Sequence, residues 1–127
     1  MLTIAVSSRA LFNIEDGHAI FLSQGQEAFD KYMEEKVSVP MRPGPAFETI
    51  SRLLKLNSKI KDPNNQISVV MLSRNSANGG FRILNSIYHY GLDIERAVFC
   101  SGTNRFRYAA AFQADLFLST NAEDVAV

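Results

Sequence analysis

The chain has 127 residues, is 46% hydrophobic and 20% charged, and carries 13 Lys and Arg against 13 Asp and Glu. That length suits one domain with its own core, and zero net charge excludes long-range capture of nucleic acid or an anionic membrane as its mode of action. The lone Cys100 excludes an internal disulfide, no apolar run approaches the roughly 20 residues of a membrane helix, and no signal peptide is evident, so a cytoplasmic protein is expected.

Leu2 to Val6 is a short continuous apolar run, the pattern of a strand buried on both faces. Asn13 to Gly25 is mixed, and a short helix is expected around Asp16 to Ser23. Gln26 to Lys36 predicts a helix with Phe29, Tyr32 and Met33 on one face and Glu27 and Lys31 as a favourable i,i+4 pair. The segment from Val39 to Pro45 contains Pro40, Pro43 and Pro45 and must be extended. Pro45 suits the first turn of the next helix, whose stripe of Phe47, Ile50, Leu53, Leu54 and Ile60 runs to about Lys61. Asp62-Pro63-Asn64-Asn65 predicts a turn, and Ile67 to Leu72 the most buried strand of a sheet. Asn78 to Tyr90 predicts a helix with Phe81, Leu84, Ile87 and Tyr88 facing inward and Gly91 as its stop. A strand from Ala97 to Cys100, a helix from Arg105 to Gln113 and a strand from Asp115 to Leu118 follow, and Asn121 could cap a last helix.

This alternation implies βαβ units and an α/β fold: a mainly parallel sheet with helices on both faces. Four predicted strands end on small hydroxyl residues: Ser7-Ser8, Ser73, Ser101 with Thr103, and Ser119-Thr120. In open α/β sheets that edge is where ligands bind, yet none of these ends carries Asp or Glu. Ser73 reads equally well as an anion ligand and as an ordinary strand terminator, whereas Ser7 and Ser8 read first as caps. Arg105 reads first as a solvated helix-start cation and second as a phosphate ligand. Asn78-Gly79-Gly80 lacks the Gly-Lys-Ser/Thr ending of a phosphate loop and reads as a helix start. His18 and His89 have no acid or thiol at ligand spacing, and Cys100 reads as a buried structural thiol.

Three strings carry a specific resemblance: Ile4 to Phe12 (IAVSSRALF), Pro43 to Phe47 (PGPAF) and Arg82 to Leu92 (RILNSIYHYGL). They resemble the cytosolic type I 5′-nucleotidase family, a branch of the haloacid dehalogenase superfamily, and the likeness extends from about Thr3 to Asp124. The resemblance implies a haloacid-dehalogenase-like (Rossmannoid) four-stranded sheet ordered fourth, first, second, third. It also implies a helical, cap-like insertion after the first strand, at about 13–43 of a single domain 1–127. Members of that family are longer and hydrolyse nucleoside 5′-monophosphates with Mg2+. Their Asp-x-Asp nucleophile lies in a following half, so this chain, ending at Val127 within a helical pattern, is expected to be the N-terminal part of a longer architecture.

Aligned with the superfamily's plan, Ser7 takes the nucleophile's place, Arg9 the acid/base place and Ser73 that of the phosphate-binding hydroxyl. Arg105 or Arg107 fits the cation, and Ser119 and Thr120 stand where the magnesium acids belong. A serine there has no nearby base, and Arg9 stays protonated, so no catalytic residue and no metal ligand is assigned. The residues expected to meet phosphate or nucleotide are Ser7, Ser8, Ser73, Arg74 and Arg105. The first functional expectation is the non-catalytic half of a 5′-nucleotidase, partnered by a C-terminal catalytic half. The alternatives are a free-standing binding module for a phosphate or nucleoside 5′-monophosphate, and a structural or homo-oligomerisation domain.

Overall fold

Alternation within two apolar runs organises the protein: each run buries both of its faces. The computed structural model describes residues 2–13, 15–73, 77–99 and 112–120. Strand β1 (Leu2–Ser7) pairs in parallel with β4 (Ile67–Ser73), with Ile4 opposite Val69 and Val6 opposite Met71. Strand β5 (Arg96–Phe99) flanks β4 and β6 (Leu116–Leu118) flanks β1, both in parallel, giving the order β5-β4-β1-β6. This is the order the resemblance implies, with the fourth strand of the sheet beside the first. Strand β4 is buried from Val69 to Ser73, as its unbroken apolar run predicts.

One sheet face, bearing Ile4, Val6, Val69 and Met71, forms the main core with residues from four helical segments. Phe29 and Met33 come from α3 (Gln26–Glu35), Ile50 from α4 (Phe47–Leu56), and Ile83 and Ile87 from α5 (Ala77–His89). Ala10 and Leu11 come from the single turn α1 (Ser8–Leu11). The other face, Ala5, Val70 and Leu72, is met by Val98, Phe112, Ala114 and Phe117. The described helices that enter a core cluster therefore all join the first face. The helix expected from Arg105 to Gln113 lies mostly outside the described residues, as do Cys100 and the cap at Asn121.

Between the turn α1 and helix α4 the chain makes two helices, α2 (Glu15–Gln24) and α3, matching the expected helical insertion. Its two ends are clipped together by a short antiparallel pair, β2 (Phe12–Asn13) with β3 (Arg42–Pro43). The proline-bearing segment that closes the insertion is held by one polar row of α5. Arg82 Nε donates to the Val39 carbonyl (2.9 Å), Asn85 Nδ2 to that of Val37 (3.2 Å) and Tyr90 Oη to that of Met41 (2.6 Å). The Met41 amide in turn donates to Ser86 Oγ (3.0 Å), whose hydroxyl donates to the Arg82 carbonyl (2.8 Å). Tyr90 also packs on Phe12 and Phe47, with ring centroids 6.0 and 4.9 Å apart.

This row corrects the expected inward face of α5. Ile87 is buried, but Phe81, Leu84 and Tyr88 are exposed, and the inward positions are Arg82, Ile83, Ser86 and Ile87. The physical reason is that α5 faces a backbone in need of hydrogen-bonding groups as well as an apolar sheet. Helix α4 likewise differs at both ends. It starts at Phe47, with Pro45 and Ala46 in a turn, because the Ala46 amide is drawn to the Ala10 carbonyl (2.8 Å). It stops at Leu56 rather than near Lys61. There the Asn57 side chain turns to β4, donating to the Ile67 carbonyl and accepting from its amide, both at 2.8 Å. Gly91, with φ +66°, ends the α5 segment as expected.

Gly44 marks where two backbones touch. Its amide donates to the Leu11 carbonyl (2.9 Å), and a Cβ added there would lie 2.7 Å from the Ala10 carbonyl oxygen and 2.9 Å from the Phe12 backbone. Neither neighbour can yield as a side chain could. Gly44→Ala should therefore lower stability by about 1–3 kcal/mol, the usual cost of overpacking. Denaturant melts would show it, and an unchanged midpoint would mean that this close approach does not exist.

Candidate functional site

The C-terminal edge of the two central strands is built from serines. Ser7 ends β1 in extended conformation and caps α1, its Oγ accepting from the Ala10 amide at 3.1 Å. The chain then turns so that the Ser8 hydroxyl reaches across to β4 and donates to Ser73 Oγ at 3.0 Å. All three are buried, at 0%, 4% and 0% exposure. The fold thus brings Ser7, Ser8 and Ser73 to one place, with the Ser7 and Ser8 hydroxyls engaged in protein hydrogen bonds. Arg9 is exposed. Ser119 and Thr120 follow β6, which runs parallel to β1, and so lie towards the same edge. Arg74, Arg105 and Arg107 lie outside the described residues.

Buried neutral hydroxyls without an adjacent base neither attack phosphorus readily nor carry charge for a metal. The Mg2+ implied by the resemblance does not fit the donors described at this edge. Ser7, Ser8, Ser73, Ser119 and Thr120 include no carboxylate, and among the described residues no group of three His, Cys, Asp or Glu side chains could hold an ion. Asp115 serves the opposite end of the sheet, where its Oδ2 accepts from the Thr3 amide (2.8 Å) and its own amide donates to the Thr3 carbonyl (2.7 Å).

Other motifs resolve as packing. A Cβ at Gly80 would fall 2.5 Å from the Phe99 ring, so that glycine seats α5 against β5. His18 is half-buried beside Phe21, and His89 is exposed beside Tyr90. Tyr88 is 87% exposed rather than in the core, whereas Tyr90 is spent on the Met41 carbonyl.

A second polar constellation was not anticipated from the sequence. A cavity of about 360 Å³ opens between the insertion and α5, lined by Asn13, Tyr32, Lys36, Pro40, Arg42 and Arg82 among others. Tyr32 and Lys36 are four apart at the end of α3, and Arg42 is placed by the β2–β3 pair. The available signal was the spacing of Arg82, Asn85, Ser86 and Tyr90, which puts donors on one helix face opposite a proline-rich segment.

A parallel sheet with the order β5-β4-β1-β6, interrupted after β1 by a helical insertion, defines an α/β protein of haloacid-dehalogenase-like architecture. A family model described as 5′-nucleotidase matches residues 1–127. Human cytosolic 5′-nucleotidase 1B is 35% identical over 128 residues, which cover 98% of this chain and 21% of the human protein. No solved structure matches significantly. The chain belongs to the 5′-nucleotidase family and spans about a fifth of the curated relative's length.

The Ser8–Ser73 bond makes a specific energetic expectation. Ser73→Ala leaves the buried Ser8 donor without that acceptor and should cost about 1–3 kcal/mol. Removing both hydroxyls should cost less than the sum of the single changes, because the pair is coupled. A double-mutant cycle by denaturant unfolding measures this, and strict additivity would mean the hydroxyls do not meet.

Proposed function

We propose that this chain is the non-nucleophilic part of a cytoplasmic 5′-nucleotidase, supporting a catalytic part that supplies the Asp nucleophile and the Mg2+ ligands. The observation that carries the reading is that Ser7 and Arg9 stand where the superfamily's plan calls for the two reactive carboxylates, with Ser7 buried and its hydroxyl spent on the Ala10 amide. The match over nearly all of this chain but only a fifth of human cytosolic 5′-nucleotidase 1B supports it. In this reading the sheet edge braces the fold, and hydrolysis of nucleoside 5′-monophosphates belongs to the whole assembly.

The convergence of Ser7, Ser8 and Ser73 favours a second reading, a weak phosphate or nucleotide site completed by Arg74 and Arg105. An anion there would compete with hydrogen bonds the serines already make.

Phosphate release from nucleoside 5′-monophosphates with Mg2+ tests the first reading. The 127-residue chain alone should give no turnover above background. Turnover that survives Ser7→Ala and Ser73→Ala in material cleared of contaminating phosphatase would place a catalytic site elsewhere in the chain. Turnover abolished by those changes would establish a serine route. Either result overturns the proposal.

A further inference from the structure

The cavity beneath the insertion brings together three cations: Arg82, Arg42 and Lys36 line it, and among the described residues no Asp or Glu does. Arg82 is the informative residue, at 5% exposure. A guanidinium so far from water normally has a carboxylate partner, because burying an unpaired charge is costly. Arg82 has a carbonyl at Nε, a sulfur (Met33 Sδ, 3.7 Å) at Nη1, and the Tyr32 ring at 5.8 Å. Thioether sulfur is a weak acceptor, so much of the guanidinium's five-donor capacity is unspent. Among the described residues the ion pairing is confined to Arg52 and Glu48 on exposed α4, so none of the described carboxylates forms an ion pair with Arg82, Arg42 or Lys36. Like charges are thus drawn from three elements, α3, β3 and α5, around one opening.

Such a cluster is costly to assemble unless an anion occupies it. The latch on Val39 fixes the Arg82 fork, and the β2–β3 pair fixes the backbone at Arg42, so the site is formed in advance of binding. A planar guanidinium is suited to bidentate contact with phosphate oxygens. The volume lies within the range of small-molecule sites and exceeds the space one orthophosphate needs. We propose that this cavity binds a phosphorylated small molecule through its phosphate group, with Arg82, Arg42 and Lys36 as the cationic ligands. It is separate in composition from the serine edge, since none of Ser7, Ser8 and Ser73 lines it.

The test is a titration of the 127-residue chain with inorganic phosphate and then pyrophosphate, followed by backbone amide shifts, with chloride at matched ionic strength as control. Saturable shifts should centre on Asn13, Lys36, Arg42 and Arg82. Pyrophosphate should bind more tightly than phosphate, and added salt should weaken both. Because Arg82 is buried, Arg82→Gln could unfold the protein. The decisive variant is therefore Lys36→Gln with Arg42→Gln, two exposed positions that keep the core intact. It should weaken binding about tenfold or more, since two charges are lost. Absence of saturable shifts at these residues, or equal affinity in the folded double variant, would overturn the proposal. Shifts confined to Ser7, Ser8 and Ser73 would overturn it too, while supporting an anion site at the sheet edge.

Discussion

The row of side chains along one face of α5 holds the backbone from Val37 to Met41, and much of the molecule depends on it. A segment with three prolines in six residues has lost three amide donors and joins a ladder only over the two residues of β3, so its remaining groups need partners from elsewhere. Arg82, Asn85 and Tyr90 supply donors and Ser86 an acceptor, at relative positions that share a helix face. Once Met41 is seated, its side chain enters the core at 1% exposure, Arg42-Pro43 falls beside Phe12-Asn13, and Gly44 comes to rest on the turn after β1. The insertion is thereby closed at its base rather than left on two free linkers.

Two polar places in the described structure follow from that closure. At the sheet edge, the turn of Ser7 to Leu11 is pressed between β4 and the Gly44 strap, and its hydroxyls are spent on the Ala10 amide and on Ser73. That arrangement suits bracing better than bond-breaking. Under the insertion, the same latch draws Arg82 inward and sets Arg42 and Lys36 nearby, concentrating positive charge in a protein whose net charge is zero. A member of the 5′-nucleotidase family can thus carry the superfamily's strand order while its own described strand ends lack the acids of phosphoryl transfer.

The sheet was legible because its signals are local and strong. The apolar runs at Leu2 to Val6 and Ile67 to Leu72 mark doubly buried strands, and the prolines from Pro40 to Pro45 exclude helix. The phase of α5 was not legible, because hydropathy turns Phe81, Leu84 and Tyr88 inward when the structure exposes them. The inward face takes Arg82 and Ser86 because its partner is a donor-poor backbone, a long-range fact that no local periodicity contains. For the same reason Asn57 looked helical, although it serves a strand ten residues away. Of the candidate site, the meeting of Ser7, Ser8 and Ser73 could be inferred from strand ends, but their mutual hydrogen bonding could not. The cation cavity went unseen because Lys36, Arg42 and Arg82 are scattered in sequence and each alone reads as a solvated charge.

Native-state hydrogen exchange of individual amides in the wild type and Ser86→Ala tests most directly whether α5 closes the insertion. Ser86 Oγ is the acceptor of the Met41 amide, so its loss should open the strap locally. Protection should fall by about tenfold or more at Met41, Gly44 and Ala46, on the scale of one lost hydrogen bond to a buried group, while amides of β1 and β4 keep theirs. Unchanged protection at Met41, or an equal loss across β1 and β4, would contradict the dependence of the insertion on α5.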